Sequence, residues 1–243
     1  MNIPTTDKFA MREIDVRLYN ACAKGSVQEV ERLIGLGADP SAPHWVKPWP
    51  EDLDANICTV DYYCVHEAAM NPDMDVLNSL VKHGADPNSR EYWNRQPLAY
   101  AGRSNSIEMV RRLVELGNDP NNYDHDGGTV LSWAALNPDV RVLDFLIEHG
   151  AEVGAACYGG MELDIALKSG TPDRVRYFIG RQSELMKSVS ADSVVDAPLE
   201  NIRALLECGF DPNQEDEYGD GRIVNSLDPV RKSLFVEFGA KAD

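Results

Sequence analysis

Basic residues are scarce in this chain, which has 23 Lys and Arg against 40 Asp and Glu and a formal net charge of −17. Proteins that bind the phosphate backbone of nucleic acids obtain much of their affinity by neutralising phosphates with lysine and arginine. The scarcity therefore argues against direct binding of nucleic acid. It favours solubility and, through long-range attraction at low salt, a basic partner.

Long apolar runs and export signals are also missing. No apolar run approaches the roughly 18 residues of a membrane-spanning helix, and the first residues lack a basic segment followed by an apolar one. The five cysteines are odd in number and form no Cys-x-x-Cys pair, which is typical of reduced thiols. We therefore expect a soluble cytoplasmic protein without a membrane segment.

Motifs of catalysis, cofactor binding and metal binding are missing as well. Neither glycine-rich phosphate-loop pattern occurs, and His66-Glu67-Ala68-Ala69-Met70 lacks the second histidine that a zinc-protease helix needs. His125 stands in Asp124-His125-Asp126-Gly127-Gly128, among the ordinary residues of a tight turn. We predict a non-catalytic protein with no cofactor and no metal site.

What is present is a helix, a turn, a second helix and a glycine stop in the segment Arg95–Asn121. Pro97 stands at the start of the first helix, where its missing N–H costs little. Gly117 follows the second helix, because glycine readily adopts the left-handed conformation that ends helices. The apolar stripe of that second helix comprises Ile107, Val110, Leu113, Val114 and Leu116.

The same pattern recurs along the chain. Segments similar to Gly-Ala-Asp-Pro are separated by 47, 33 and 33 residues, and weaker copies follow. A period near 33 with two helices per unit is typical of a repeat protein in which each unit packs on its neighbours. The recurring glycines are Gly37, Gly84, Gly117 and Gly150, followed by Gly209 and Gly239.

At these residues the chain resembles the ankyrin-repeat family. The family's Thr-Pro-Leu-His turn survives in part in Cys64-Val65-His66, Gln96-Pro97-Leu98 and Thr129-Val130-Leu131, and the resemblance covers about residues 11–243. It implies an all-α solenoid, curved and elongated, of about seven helix-turn-helix repeats with short hairpin-like tips. It also implies that His66 hydrogen-bonds between neighbouring repeats.

The resemblance predicts one domain, 1–243, with an insertion at 44–57 that explains the longer first interval. The insertion carries Trp45 and Trp49, which either fold back on the first helix pair or form an aromatic contact surface. Asn71-Pro72-Asp73, a device repeated later in the chain, predicts a helix start with asparagine as a capping residue. The expected repeats are 11–43, 58–90, 91–123, 124–156, 157–182, 183–212 and 213–243.

In the family, partners are held by the hairpin tips and by the exposed ends of the first helices, which line a concave face. In this sequence those positions carry aromatic residues and arginine, the composition of interface anchors. Trp93 and Tyr123 also fit a structural stacking between adjacent tips, and Tyr100 is predicted to pack between repeats. The predicted partner-binding residues are Trp45, Trp49, Tyr62, Met70, Arg90, Tyr92, Trp93, Arg95, Arg103, Tyr123, His125 and Tyr158.

The function that we favour is non-catalytic binding of a protein partner through the concave face and the hairpin tips. A sharper version adds the negative charge, so that the protein sequesters or inhibits a basic partner, as an immunity-like or decoy protein does. Two alternatives stay open. One is an enzyme or small-ligand site in the irregular repeats 157–212, where the repeat pattern lapses, and the other is a structural spacer.

Overall fold

The computed structural model describes residues 12–46, 60–103, 107–137, 139–155, 161–216 and 221–241. The chain divides into two compact units, Met1–Asn122 and Tyr123–Asp243, and each is described by itself. The single, curved and elongated domain stays a prediction.

Helices of the first unit come in pairs, as the periodicity predicts. Helix α3 packs on both α1 and α5, and α4 packs on α2, so that helices of neighbouring repeats stack. Leu33, Leu77 and Leu113 are completely buried between them, which is how a repeat without a core of its own is stabilised. The pairs are α1 (Glu13–Ala23) with α2 (Val27–Gly35), α3 (Cys64–Met70) with α4 (Met74–Lys82), and α5 (Pro97–Arg103) with α6 (Ile107–Glu115).

The glycine stops have the conformation that the sequence predicts. Gly117 has φ +91°, and its N–H donates to the carbonyl of Val114 at 3.0 Å. The next amide, of Asn118, donates to the carbonyl of Leu113 at 3.0 Å, and the last carbonyls of α6 are thereby satisfied. The same positive φ, between +94° and +97°, occurs at Gly37, Gly84 and Gly150.

Two short strands extend the tip between the first and second repeats. Strand β1 (His44–Val46) pairs antiparallel with β2 (Val60–Tyr62), with Trp45 opposite Asp61. The first residues of the insertion 44–57 therefore pair with residues that follow it, in agreement with the predicted hairpin-like tips. Residues 47–59, which include Trp49, lie outside the described residues, as does the side chain of Trp45.

The predicted capping role of asparagine was wrong. Helix α4 begins at Met74, and the residue before it, Asp73, accepts a hydrogen bond from the backbone N–H of Asp75 at 2.9 Å. Asn71 instead accepts from the N–H of Asp73 at 3.0 Å and shapes the turn. A carboxylate is favoured at the helix start because it faces the positive end of the helix dipole.

Helices of the second unit also stack on one another, including those of the irregular repeats. Helix α9 packs on α7 and α10, and α10 packs on α12, with Leu163, Val175 and Phe178 completely buried. Short 3₁₀ helices, Ser183–Ser188 and Ile223–Ser226, precede α11 and α13. The α-helices are α7 (Val130–Ala134), α8 (Val140–Glu148), α9 (Met161–Ser169), α10 (Pro172–Arg181), α11 (Ala191–Asp196), α12 (Leu199–Glu207) and α13 (Pro229–Glu237).

Within the described ranges, Cys22, Cys64 and Cys208 are free thiols, of which the first two are buried. This agrees with the predicted reduced state of these three side chains. None of the helices in that part of the chain combines the length and the apolar character needed to cross a membrane.

Candidate functional site

One buried carboxylate organises the tip of the third repeat, Glu91–Arg95. Glu91 is 5% exposed, and its carboxylate accepts the backbone N–H groups of Trp93 at 2.9 Å and Arg95 at 3.1 Å. Asn94 adopts the left-handed conformation with φ +67°, which asparagine tolerates better than most residues. The turn therefore presents Tyr92 and Trp93 from a backbone that is held in place.

The side chains of this tip form a compact group of aromatic rings and guanidinium. The rings of Tyr92 and Trp93 meet edge to face with centroids 5.4 Å apart, and the guanidinium carbon of Arg95 lies 5.9 Å from the Trp93 ring. Arg90 donates to the carbonyl of Asn94 at 3.4 Å. Tyr92 is 43% exposed, so the group is accessible. Four of the predicted partner-binding residues thus lie together.

A line of rings leads from this tip across the first helices. The charge of Arg95 acts to lower the pKa of Tyr100 of α5, and the Tyr100 ring centroid lies 5.6 Å from that of Tyr62 in β2. Tyr62 lies 6.2 Å from Tyr19 of α1, which stacks on His44 of β1 at 3.7 Å. We call this set the aromatic row, and it comprises Trp93, Arg95, Tyr100, Tyr62, Tyr19 and His44.

The aromatic row only partly follows the sequence prediction. Tyr62 was predicted at a partner surface and Tyr100 between repeats, and the structure places both, half-buried, in one row. The sequence analysis did not predict Tyr19 or His44 as part of this surface. Repeat register did not indicate Tyr19, because it stands 18 residues before Gly37, whereas Glu67 and Tyr100 stand 17 residues before Gly84 and Gly117. The structure shows that the hydroxyl of Tyr19 donates to the Glu67 carboxylate.

The phenols of the aromatic row are neutral at physiological pH. Burial raises the pKa of Tyr19 and Tyr62 well above the ordinary value for tyrosine, and the nearby negative charge of Glu67 adds to both shifts. Burial also raises the pKa of Tyr100 to about 12. These hydroxyls therefore remain hydrogen-bond donors, and their rings remain uncharged.

His66 makes the bond between repeats that the family resemblance implies. Its Nε2 lies 3.2 Å from the carbonyl oxygen of Arg95 in the next repeat, and the residue is completely buried. Burial lowers the pKa of His66 to about 4, so the ring is neutral at physiological pH. This histidine ties the second repeat to the backbone of the tip that carries Arg95.

Two further predicted residues of the first unit lie at helix ends. Met70 ends α3 and is 40% exposed, and Arg103 ends α5 and is exposed. Both positions agree with the predicted exposed ends of the first helices. Whether they contact a partner stays a prediction.

The second unit holds Tyr123 and His125 at its first tip. Asp124 is the organising carboxylate, since it accepts the N–H groups of Asp126 at 3.0 Å and Gly128 at 2.9 Å. Tyr123 is 55% exposed, and His125 is exposed. A surface continuous with the Arg90–Arg95 group stays a prediction, and Tyr158 lies outside the described residues.

Buried charge marks the start of the irregular repeats. Glu162 of α9 is completely buried, and its Oε1 accepts a hydrogen bond from the Thr129 hydroxyl at 3.0 Å, whereas its Oε2 has no hydrogen-bond partner among the described residues. Arg174 of α10 is 3% exposed and donates to the carbonyl of Asn137. In the part of the chain that the structure describes, no group of three or more His, Cys, Asp or Glu side chains is arranged to hold a metal ion.

Glu162→Gln is expected to raise the free energy of unfolding at neutral pH and to change it less in acid. Burial raises the pKa of Glu162 above its ordinary value, so the folded chain holds this proton more tightly than the unfolded chain. Wild-type stability is therefore lost as the pH rises from the unfolded-state pKa through the folded-state pKa. The amide does not titrate and avoids that loss, for a gain on the order of 1–3 kcal/mol.

Urea unfolding across the acidic to neutral range would measure this gain. Glu200→Gln, on the exposed side of α12, removes the same charge without burial and serves as the control. Parallel pH profiles of wild type and Glu162→Gln would contradict the expected cost of the buried carboxylate.

Comparisons with known proteins agree with the repeat architecture. Residues 18–124 and 65–157 match the family model described as ankyrin repeats, three copies. The chain is also 31% identical over 90 residues to the 2-5A-dependent ribonuclease of Mus musculus, a stretch that is 37% of this chain and 10% of that protein. The chain thus matches about a tenth of the length of this curated relative.

Proposed function

The chain belongs to the ankyrin-repeat family, because the family model matches more than half of it, and we propose that it is a non-catalytic module for binding a protein partner. Ankyrin repeats generally mediate protein–protein interaction, and the family is typically non-catalytic. We propose that the binding surface is the concave face, with the tip of the third repeat and the aromatic row at its centre. The activity of the ribonuclease is not part of this proposal.

The observation that carries the proposal is the tip group of Arg90, Tyr92, Trp93 and Arg95. Large aromatic side chains that stay partly exposed leave apolar area in water, and such residues with arginine are typical of interface hot spots. The Glu91 carboxylate already holds the backbone of this tip. Little conformational freedom is therefore lost when a partner binds, and this favours affinity.

The finer proposal is that the partner is basic and is sequestered or inhibited. The net charge of −17 supports it, because a negative field attracts and steers a basic protein. A cytoplasmic location, with its reducing conditions, belongs to the same proposal and is supported by the free thiols of Cys22, Cys64 and Cys208.

Trp93→Ala combined with Arg95→Ala is expected to abolish capture of the partner in an affinity pull-down, since each anchor contributes about 1–4 kcal/mol to binding. The bait is the full chain, and the unfolding curve of the variant should stay close to that of the wild type. Leu36→Ala combined with Arg111→Ala, which changes one exposed apolar residue and one exposed arginine elsewhere in the first unit, is the control.

Salt distinguishes the two levels of the proposal. The association rate of a charge-steered complex falls steeply as ionic strength rises. Association rates that do not change with salt would therefore contradict the proposal of a basic partner and leave the proposed binding surface in place. A partner that both double variants retain equally would contradict the proposed surface. In that case the surface lies elsewhere on the chain.

A further inference from the structure

One carboxylate beside the aromatic row, Glu67, has surroundings that suit a cation. Glu67 is half-buried on α3, between the helices that carry Tyr19 and Tyr100. It accepts a hydrogen bond from the Tyr19 hydroxyl. Among the described residues it makes no ion pair. A carboxylate in this setting is partly desolvated without being neutralised by a positive charge.

Other half-buried helical carboxylates of the first unit differ in this respect. Asp15 pairs with Arg12 at 2.6 Å, and Glu29 pairs with Arg32 at 2.7 Å. Glu31 likewise lies 2.9 Å from the ring nitrogen of His83. These three carboxylates each lie beside a basic side chain of the protein itself. Glu67 differs from them, and it lies on the face that we propose to bind a partner.

The rings around Glu67 add to its attraction for a cation. Tyr62 stands nearly perpendicular to Tyr100, at 87°, and at 73° to Tyr19. The face of an aromatic ring attracts a cation, and the attraction grows when water is excluded. At the other end of the same row, the guanidinium carbon of Arg95 lies 5.9 Å from the Trp93 ring, so one ring of this row already accommodates a guanidinium group.

We propose that Glu67, with Tyr19, Tyr62 and Tyr100, receives the guanidinium group of an arginine on the partner protein. This inference rests on the proposed function and specifies the side chain that the surface recognises. Arginine fits better than lysine, because its planar guanidinium both stacks on an aromatic ring and donates two parallel hydrogen bonds to a carboxylate. The net charge of −17 favours the approach of such a segment over long distances.

The test is calorimetric titration of the full chain with a short peptide in which arginine alternates with glycine. The same peptide with citrulline in place of arginine keeps the shape and removes the charge. Glu67→Gln is expected to weaken binding of the arginine peptide about tenfold, the effect of losing one well-placed charged contact. Because glutamine still accepts from Tyr19, we expect the variant to fold, and a thermal unfolding curve checks this.

Glu108→Gln is the matched control, since it removes the same charge from the exposed side of α6 in the same unit. Tyr100→Leu, which removes one ring and no charge, is the second variant and is also expected to weaken binding. Equal effects of Glu67→Gln and Glu108→Gln would overturn the inference, because the peptide would then sense only net charge. Equal binding of the arginine and citrulline peptides would overturn it as well.

Failure of this inference is distinguishable from failure of the proposed function. A partner that depends on Trp93 and Arg95 but is indifferent to Glu67→Gln contradicts the arginine site and leaves the binding module in place. The absence of any partner dependent on Trp93 and Arg95 contradicts the proposed surface, whatever the peptide titration shows.

Discussion

Phe178→Ala is expected to lower the free energy of unfolding by about 3–5 kcal/mol, the usual cost of removing a buried aromatic ring. Phe178 is completely buried on α10, a helix that packs on both α9 and α12. Its removal leaves a cavity that three helices border. The effect is informative because it falls in repeat 157–182, where the family pattern is weak in the sequence.

Urea unfolding followed by far-UV circular dichroism would measure this loss. Val230→Ala on α13 is the control, because Val230 is 59% exposed and its truncation creates no cavity. A loss for Phe178→Ala no larger than for the control would mean that the irregular repeats are not packed as the structure describes.

Leu113→Ala is expected to cost about 2–5 kcal/mol of folding free energy. Leu113 is completely buried on α6 of the first unit, where the apolar stripe of the sequence predicted it. Leu36→Ala is a control of the same chemistry, because Leu36 is 61% exposed at the end of α2. We expect the control to change stability by less than about 0.5 kcal/mol, as surface substitutions usually do.

Leu113→Ala and Trp93→Ala together separate folding from binding. Leu113→Ala should lower stability, and it should alter affinity only through the fraction of folded chain. Trp93→Ala should weaken partner binding and leave the unfolding curve close to that of the wild type. If Trp93→Ala instead lowers stability and leaves affinity intact, this ring serves the stacking between tips that the sequence left open.

The helix pairs were predictable because their signals are local. A stripe of apolar residues, a proline at a helix start and a glycine at a helix end each act within a few residues of the chain, and repetition at 33 residues reinforces them. Pro97 and Gly117 occupy the predicted positions. The error at Asn71 shows how precise such signals are, since Asn71 and Asp73 stand only two positions apart and the backbone path decides which of them caps the helix.

The tip residues were also predictable in kind, because register alone puts Tyr92, Trp93 and Arg95 at the end of a turn. The role of Glu91 in holding this turn was not predictable, since a glutamate two residues before a tryptophan is an ordinary sequence pattern. Only the folded turn shows that Glu91 is buried and accepts two backbone N–H groups. The same holds for Asp124 in the second unit.

The sequence by itself determined the family, the helix pairs, the glycine stops and the exposed tip, because each of these depends on residues close together in the chain. The tertiary structure decided which distant side chains meet. Tyr19, His44, Tyr62 and Tyr100 come from two first helices and a hairpin, and only the stacking of repeats brings their rings together. The tertiary structure also decided that Glu67 lies beside these rings and makes no ion pair among the described residues. Such long-range contacts depend on how every intervening residue packs, whereas helix signals depend only on nearby residues.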